Sequence, residues 1–215
     1  MIAIDGPSGS GKSTMAKLVA GELGYAYLDT GALYRATALG LVRLGLHEDA
    51  SDEEIAAALE KTAVAFADGR VLLNGSDVSG EIRLPESGHY ASVFSARPPV
   101  RRYLLGIQRE AARDADLVAE GRDMTTVVFP GAYRKIYLDA SVDERTRRRT
   151  EELLAKGFSL NAEKIRREII ERDERDSGRK IAPLRRAEDA AYINSTGLSK
   201  EEVLLLILNV VRSGE

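Results

Sequence analysis

The chain has 215 residues, 44% of them apolar and 30% charged, with 31 basic against 34 acidic side chains and no cysteine. This length and apolar content suit one α/β domain with a sizeable core and room for small insertions, and they exclude a disordered chain. A net charge of −3 gives no global field to draw nucleic acid or an anionic membrane; the lack of cysteine excludes disulfides, thiolate metal sites and a cysteine nucleophile, and fits a reducing cytoplasm.

In chain order, a first buried strand is expected over Ile2–Ile4. No basic segment followed by a hydrophobic region precedes it, so no signal peptide is expected. A glycine-rich stretch follows, then the helix-like "STMAKLVAGEL". Further short apolar runs at Ala26–Leu28, Leu117–Ala119, Lys135–Leu138 and Ala191–Ile193, mostly separated by helical patterns, predict a parallel α/β sheet. Ser51 with Glu54, Ser141 with Glu144, and Ser199 with Glu202 read as capping boxes at three helix starts.

Between residues 30 and 116 the spacing is too long for one crossover helix, so an insertion is expected. In it "AVAFADGRVLLNG" predicts a hairpin around Asp68–Gly69, followed by the turn "NGSD". From 143 to about 180 the charge becomes dense, in "ERTRRRTEE" and "KIRREIIERDERDSGRK", and most of it reads as solvated helix faces laced with i,i+4 ion pairs. The run Val203–Val211, interrupted by Asn209, is too short to span a bilayer and reads as a buried C-terminal helix.

Gly6, Pro7, Ser8, Gly9, Ser10, Gly11, Lys12 and Ser13 satisfy G-x-x-x-x-G-K-[ST], with Thr14 next, a strand before and a helix after. Such a loop turns backbone N–H groups onto phosphate oxygens at a helix N-terminus, which points to a nucleoside triphosphate. Lys12 is expected to reach the β- and γ-phosphates, and Ser13 to offer its hydroxyl to Mg²⁺.

The loop does not choose among ATPases, GTPases and kinases. No guanine-reading N-K-x-D is present, and "DVSG" at 77–80, though it fits D-x-x-G, lies in the inserted region. "LDTGALYR" (28–35) follows the second predicted strand; Asp29 or Thr30 can cap the helix it opens, and Arg35 can grip a second anion. "EGRDMTTVVFP" (120–130) follows another core strand. All three segments fall at strand carboxyl ends, where doubly wound sheets bind ligands.

With these stretches the chain resembles the bacterial cytidylate (CMP) kinases among the nucleoside monophosphate kinases. "IDGPSGSGKST", "LDTGALYR", "DVSGEIR", "VFSARPPVR", "EGRDMTTVVFP", "KIYLDAS", "ERDERDSGRKIAPL" and "LSKEEV" occur in the family's order over nearly the whole chain. The resemblance implies a P-loop kinase fold: a central parallel sheet flanked by helices, with core near 1–29, 116–150 and 187–215, a monophosphate-binding insert at 30–115, and a lid at 151–186. It implies transfer of the γ-phosphoryl group of ATP to CMP or dCMP, with Mg²⁺. The acceptor is already an anion, so arginines rather than a general base are needed.

By the same resemblance, Arg35 and Arg122 meet the CMP phosphate, with Thr30 and Tyr34 near the same nucleotide. Arg172 and Asp176, one helical turn apart, and Arg179, just beyond Gly178, belong to the lid; Arg172 and Arg179 close over the phosphates or sugar, with Asp176 orienting an arginine or meeting the ribose. Lys12, Arg122, Arg172 and Arg179 form the catalytic set. Asp123 and Arg101, helped by Ser92, occupy positions that read cytosine: a carboxylate faces the exocyclic amine, an arginine faces N3 and O2.

Thr125 stands where the family usually has glycine, and "YINST" departs near the adenine end. A nucleotide-binding regulator without turnover and a small-molecule kinase of the shikimate type are the alternatives. The partners expected are small molecules, not nucleic acid or membrane. No coiled-coil repeat asks for a second copy, so a cytoplasmic monomer is expected.

Overall fold

Ile2–Asp5 forms β1, buried at every position as befits a strand flanked on both sides within a sheet. The structure, a computed structural model, describes residues 1–67, 69–113, 115–155, 157–158 and 161–213. Asp68 of the expected hairpin turn, residues 156, 159 and 160 of the expected lid, and residues 214 and 215 of the expected core lie outside the described residues. The chain divides into two compact units, Met1–Ala26 with Asp116–Glu215, and Tyr27–Ala115.

After β1 the glycine loop leads into α1 (Lys12–Leu23), and β2 (Ala26–Asp29) carries the chain into the second unit. There Asp29 caps α2 (Thr30–Arg43), its Oδ1 accepting the Ala32 N–H at 2.9 Å. Of the two capping candidates it is therefore Asp29 that serves, and Thr30 begins the helix. A full capping box at Ser51 and Glu54 starts α3 (Asp52–Leu59).

An antiparallel meander follows: β3 (Val64–Ala67), β4 (Arg70–Leu73) and β5 (Ser76–Asp77). The β4–β5 turn is Asn74–Gly75, both at positive φ, as a tight hairpin requires. A short 3₁₀ turn at Glu81–Arg83 precedes α4 (Pro85–Phe94) and α5 (Pro98–Glu110). Leu33, Leu41, Ile55, Val71, Leu73, Ile82, Phe94 and Leu104 are buried in this unit's own core.

The first unit resumes with β6 (Leu117–Gly121), a wide π-type turn at Met124–Val128, β7 (Arg134–Asp139), α6 (Val142–Ala155), α7 (Ala162–Gly178), β8 (Ala191–Asn194) and α8 (Lys200–Arg212). The five-stranded sheet has the order β2-β6-β1-β7-β8, with β1 parallel to β6 and β7, and β7 parallel to β8. This is the parallel P-loop architecture expected of the sequence. Asp5 pairs with Gly121 across the β1–β6 ladder, so the glycine loop and the "GRD" segment leave the sheet side by side.

Two expectations need correction, and a third is filled in. Ser141 makes only half a capping box: its Oγ accepts the Glu144 N–H at 3.2 Å, but its own N–H donates to Thr196 Oγ1, because the Glu144 carboxylate is taken by Arg147 and Arg148. The C-terminal helix is amphipathic rather than buried: Val203, Ile207, Leu208 and Val211 face the core, while Leu205 is 61% exposed. The charged segment keeps the i,i+3 and i,i+4 ion pairs expected for most of it, among them Arg147 with Glu144 and Glu151, but part of it turns inward. Leu153, Ile165 and Ile169 close a small apolar cluster with Val142 between α6 and α7, and two arginines of α6 turn inward.

Candidate active site

In the first unit the glycine loop is shaped by close approach. A Cβ on Gly6 would stand 1.9 Å from the Leu138 carbonyl oxygen, and Gly11, at φ +95°, is the left-handed residue that opens α1 without a side-chain cap. The first amides of α1 are thereby left to an anion. Pro7 and Ser10 lie in a buried part of the loop, Gly9 is exposed, and Ser13 and Thr14 are exposed on the first turn of α1.

Lys12 is buried, its Nζ donating to the Pro7 carbonyl at 2.7 Å and to Ser10 Oγ at 3.4 Å. Burial, with Arg122 and then Arg172 adding repulsion against the opposing pull of Glu120, brings its ammonium down to about 7. Ser13 Oγ donates to Glu120 Oε1 at 2.6 Å, and that carboxylate is buried at the end of β6. Among the described residues no group of three or more acidic or histidine side chains is poised to hold a metal. A divalent ion here has the Ser13 hydroxyl to use and must take its other ligands from phosphate and water, which suits Mg²⁺.

Beyond Glu120 stands Arg122, whose Nε donates to Asp176 Oδ2 at 2.8 Å. Asp176 is buried near the end of α7 and also has Arg172 and Arg179 at 4.0 and 3.9 Å. Burial alone would raise the Asp176 carboxyl, but Arg122, Arg172 and Arg179 outweigh it and hold it below the ordinary value. Burial would likewise lower Arg122, yet Asp176 and Glu120 hold it above. Lys12, Arg122, Arg172 and Arg179, named from the sequence as catalytic, thus gather around two buried carboxylates of one unit. Asp123, the next residue, is 2% exposed.

Three residues of that neighbourhood escaped the sequence reading. Arg145, 4% exposed, donates from Nη1 to the Ser8 carbonyl at 3.0 Å and to Asp173 Oδ2 at 2.6 Å. Arg148 donates from Nη1 to the Ser10 carbonyl at 3.3 Å and to Ser195 Oγ at 3.0 Å. Ser195, in the departing "YINST" stretch, is itself bonded to the Ser10 carbonyl at 3.3 Å. The outer rim of the phosphate loop is therefore stapled by α6 and by the segment after β8. Arg145 lies on the helix stripe of Val142 and Thr146, but so does Arg149, so the periodicity alone does not single it out.

The second unit holds the remaining predicted residues. Thr30, at the first turn of α2, is buried. One turn on, the Tyr34 ring lies under the guanidinium of Arg101, 5.6 Å from its centroid. Arg35 donates to the Ile82 carbonyl at 3.4 Å. Arg101, on α5, is 8% exposed and donates to the Ser95 carbonyl at 3.1 Å, while Ser92 is buried on α4 and its carbonyl accepts from Ser95 Oγ.

A family model described as Cytidylate kinase matches residues 2–213. A cytidylate kinase of Thermosipho melanesiensis is 50% identical over 211 residues, covering 98% of this chain and 96% of that protein. One of Geobacter sulfurreducens is 48% identical over 219 residues, covering 100% and 94%. A solved structure of an uncharacterized protein from Eubacterium ventriosum is similar with a TM-score of 0.56 at 14% identity, covering 99% of this chain and 98% of that one; it speaks for the fold alone.

Proposed function

The chain belongs to the cytidylate kinase family, and from that premise we propose that it transfers the γ-phosphoryl group of ATP to CMP or dCMP, releasing ADP and CDP or dCDP. The observation that carries this reading is the buried cationic cluster at the end of the glycine loop. Lys12 and Arg122 sit among Glu120, Asp176, Arg172 and Arg179, with no histidine there to act as a base.

Such a cluster suits two phosphates that repel each other. A phosphate oxygen of CMP attacks the γ-phosphorus while the bond to the ADP oxygen breaks, and no proton need be removed from the acceptor. What remains is positioning and neutralisation. The loop amides and Lys12 take the β- and γ-phosphates. Incoming negative charge favours the Lys12 ammonium that burial disfavours. Arg122 and Arg35 hold the acceptor phosphate, and Arg172 and Arg179 close from the lid at 151–186.

Ser13 would hold Mg²⁺ by its hydroxyl, kept in orientation by Glu120. An Mg²⁺ ion held there would supply neutralisation of phosphate charge. Residues 30–115 serve as the monophosphate-binding insert. Thr30 and Tyr34 line the nucleotide's seat, and Asp123, Arg101 and Ser92 select cytosine. UMP would set its O4 against the Asp123 carboxylate, at a cost of a few kcal/mol. The partners are small molecules rather than nucleic acid or membrane, and the protein works as a cytoplasmic monomer. Near-balanced charge and the absence of cysteine support that setting, and no described helix is long and apolar enough to cross a membrane.

A coupled ADP-release assay over CMP, dCMP, UMP, AMP and shikimate tests the proposal. CMP and dCMP are expected to lead by at least about tenfold. Turnover of AMP or shikimate in preference to CMP would overturn it.

A further inference from the structure

Asp5 is the last residue of β1, wholly buried, and the glycine loop starts at its neighbour. Its carboxylate accepts three hydrogen bonds, all from two consecutive residues after β6. Oδ1 takes the Met124 N–H at 2.9 Å; Oδ2 takes the Thr125 N–H and the Thr125 hydroxyl, both at 2.7 Å. Met124 opens the wide turn Met124–Val128, whose own N-terminus has no side-chain cap within its segment. The turn is otherwise closed by backbone bonds such as Val128 N–H to Asp123 O at 3.0 Å and Phe129 N–H to Met124 O at 2.8 Å. Asp5 therefore caps, from the adjacent strand, the turn that begins right after Arg122 and Asp123.

We propose that Thr125 is a positioning residue. Its hydroxyl completes a three-donor seat for the Asp5 carboxylate, and the seat fixes Arg122 and Asp123 against the start of the phosphate loop. That these two residues serve the acceptor nucleotide rests on the reading given above; the seat itself does not.

The seat is strongest while Asp5 is ionised, since all three donors then meet an anion, and protonation turns these charge-assisted bonds into weaker neutral ones. Holding that charge in the core is costly. Burial raises the Asp5 carboxyl to about 6, against the lowering effect of the Thr125 and Met124 hydrogen bonds. The titratable groups that face it are Asp123 after β6, which raises it further, Lys12 from α1, which stabilises the anion, and Tyr137 from β7. Removing one charge-assisted donor from this balance shifts the carboxyl upward, toward neutral pH.

The test uses the full chain with Thr125→Ala and Thr125→Ser. Thr125→Ala is expected to move the acid limb of kcat/KM for CMP up by about one pH unit. Near pH 6.5 its KM for CMP should rise several-fold at little change in KM for ATP, and Thr125→Ser should restore the parent profile. A second readout needs no substrate: the stability gap between parent and Thr125→Ala is expected to be largest above about pH 7 and to close as Asp5 protonates in both. A pH-independent gap, an unmoved acid limb, or failure of the serine variant to rescue would overturn the seat. Absence of turnover on every monophosphate alongside an intact pH-dependent gap would overturn the kinase reading instead.

Discussion

Asp176→Asn isolates what the buried carboxylate does among its arginines. The substitution keeps shape and removes one charge, leaving Arg122, 2.8 Å away, and Arg172 and Arg179, at 4.0 and 3.9 Å, without that counter-charge. Breaking a buried pair by removing one partner costs about 3–5 kcal/mol, because the surviving cation stays desolvated. In a chain of this size that lowers the melting temperature by about 10 °C. Because the three arginines hold the Asp176 carboxyl below its ordinary value, its contribution is complete above that value and is lost as pH falls through the lower folded one. The gap between parent and variant should accordingly be constant near neutrality and narrow below about pH 4.

The counter-charge account makes a second demand that a packing account does not. Sulfate or ATP, entering the same cationic cluster, should stabilise the variant more than the parent, by about 1 kcal/mol or more at equal ligand concentration. Denaturant unfolding with and without sulfate reads both quantities. A double-mutant cycle with Arg122→Met should return a coupling of about 1 kcal/mol or more. An Asp176→Asn protein as stable as its parent, or one that sulfate stabilises no better, would refute the reasoning.

Gly6→Ala should fail outright, since its Cβ would meet the Leu138 carbonyl at 1.9 Å and backbone cannot step aside; loss of ATP binding by calorimetry, with a melting temperature reduced by several degrees or no folded protein, is expected. Arg148→Ala removes one staple from the loop rim and should raise KM for ATP by about tenfold while KM for CMP moves less than about twofold, read by steady-state kinetics. Arg147→Ala, on the exposed face of the same helix and paired with Glu144 and Glu151, should leave the thermal midpoint and both KM values unchanged.

The strands and the glycine loop were legible because their signals are local: an apolar run of four or five residues, a turn that only glycine tolerates, a hydroxyl or carboxylate before a helix. Ser51 and Ser199 kept their capping boxes for that reason, each pair closing within four residues. Ser141 did not, because the Glu144 carboxylate has a stronger offer from two guanidiniums than from one amide, and the competing arginines arrive by helical geometry that a four-residue pattern does not weigh. In the same way α8 was read as buried from an apolar run interrupted by Asn209, whereas its face is set by what packs against it.

Arg145 and Arg148 show where composition stops informing. In "ERTRRRTEE" four arginines share one chemistry, and only the bend of the chain decides that two bond the carbonyls of Ser8 and Ser10 while the other two meet solvent. Asp5 and Glu120 were readable in principle: each is a lone carboxylate at the end of an otherwise apolar strand, and a charge there must be balanced by fixed donors or cations. Asp5 is balanced by the Met124 and Thr125 amides and the Thr125 hydroxyl, and Glu120 has the Ser13 hydroxyl and the Lys12 charge. Both donor sets stand more than a hundred residues away in sequence, or on the far side of a loop. A buried acid at a strand terminus is thus a stronger pointer to the ligand-binding end of such a sheet than the half-buried arginines around it, because the fold bears its desolvation whether or not a ligand is bound.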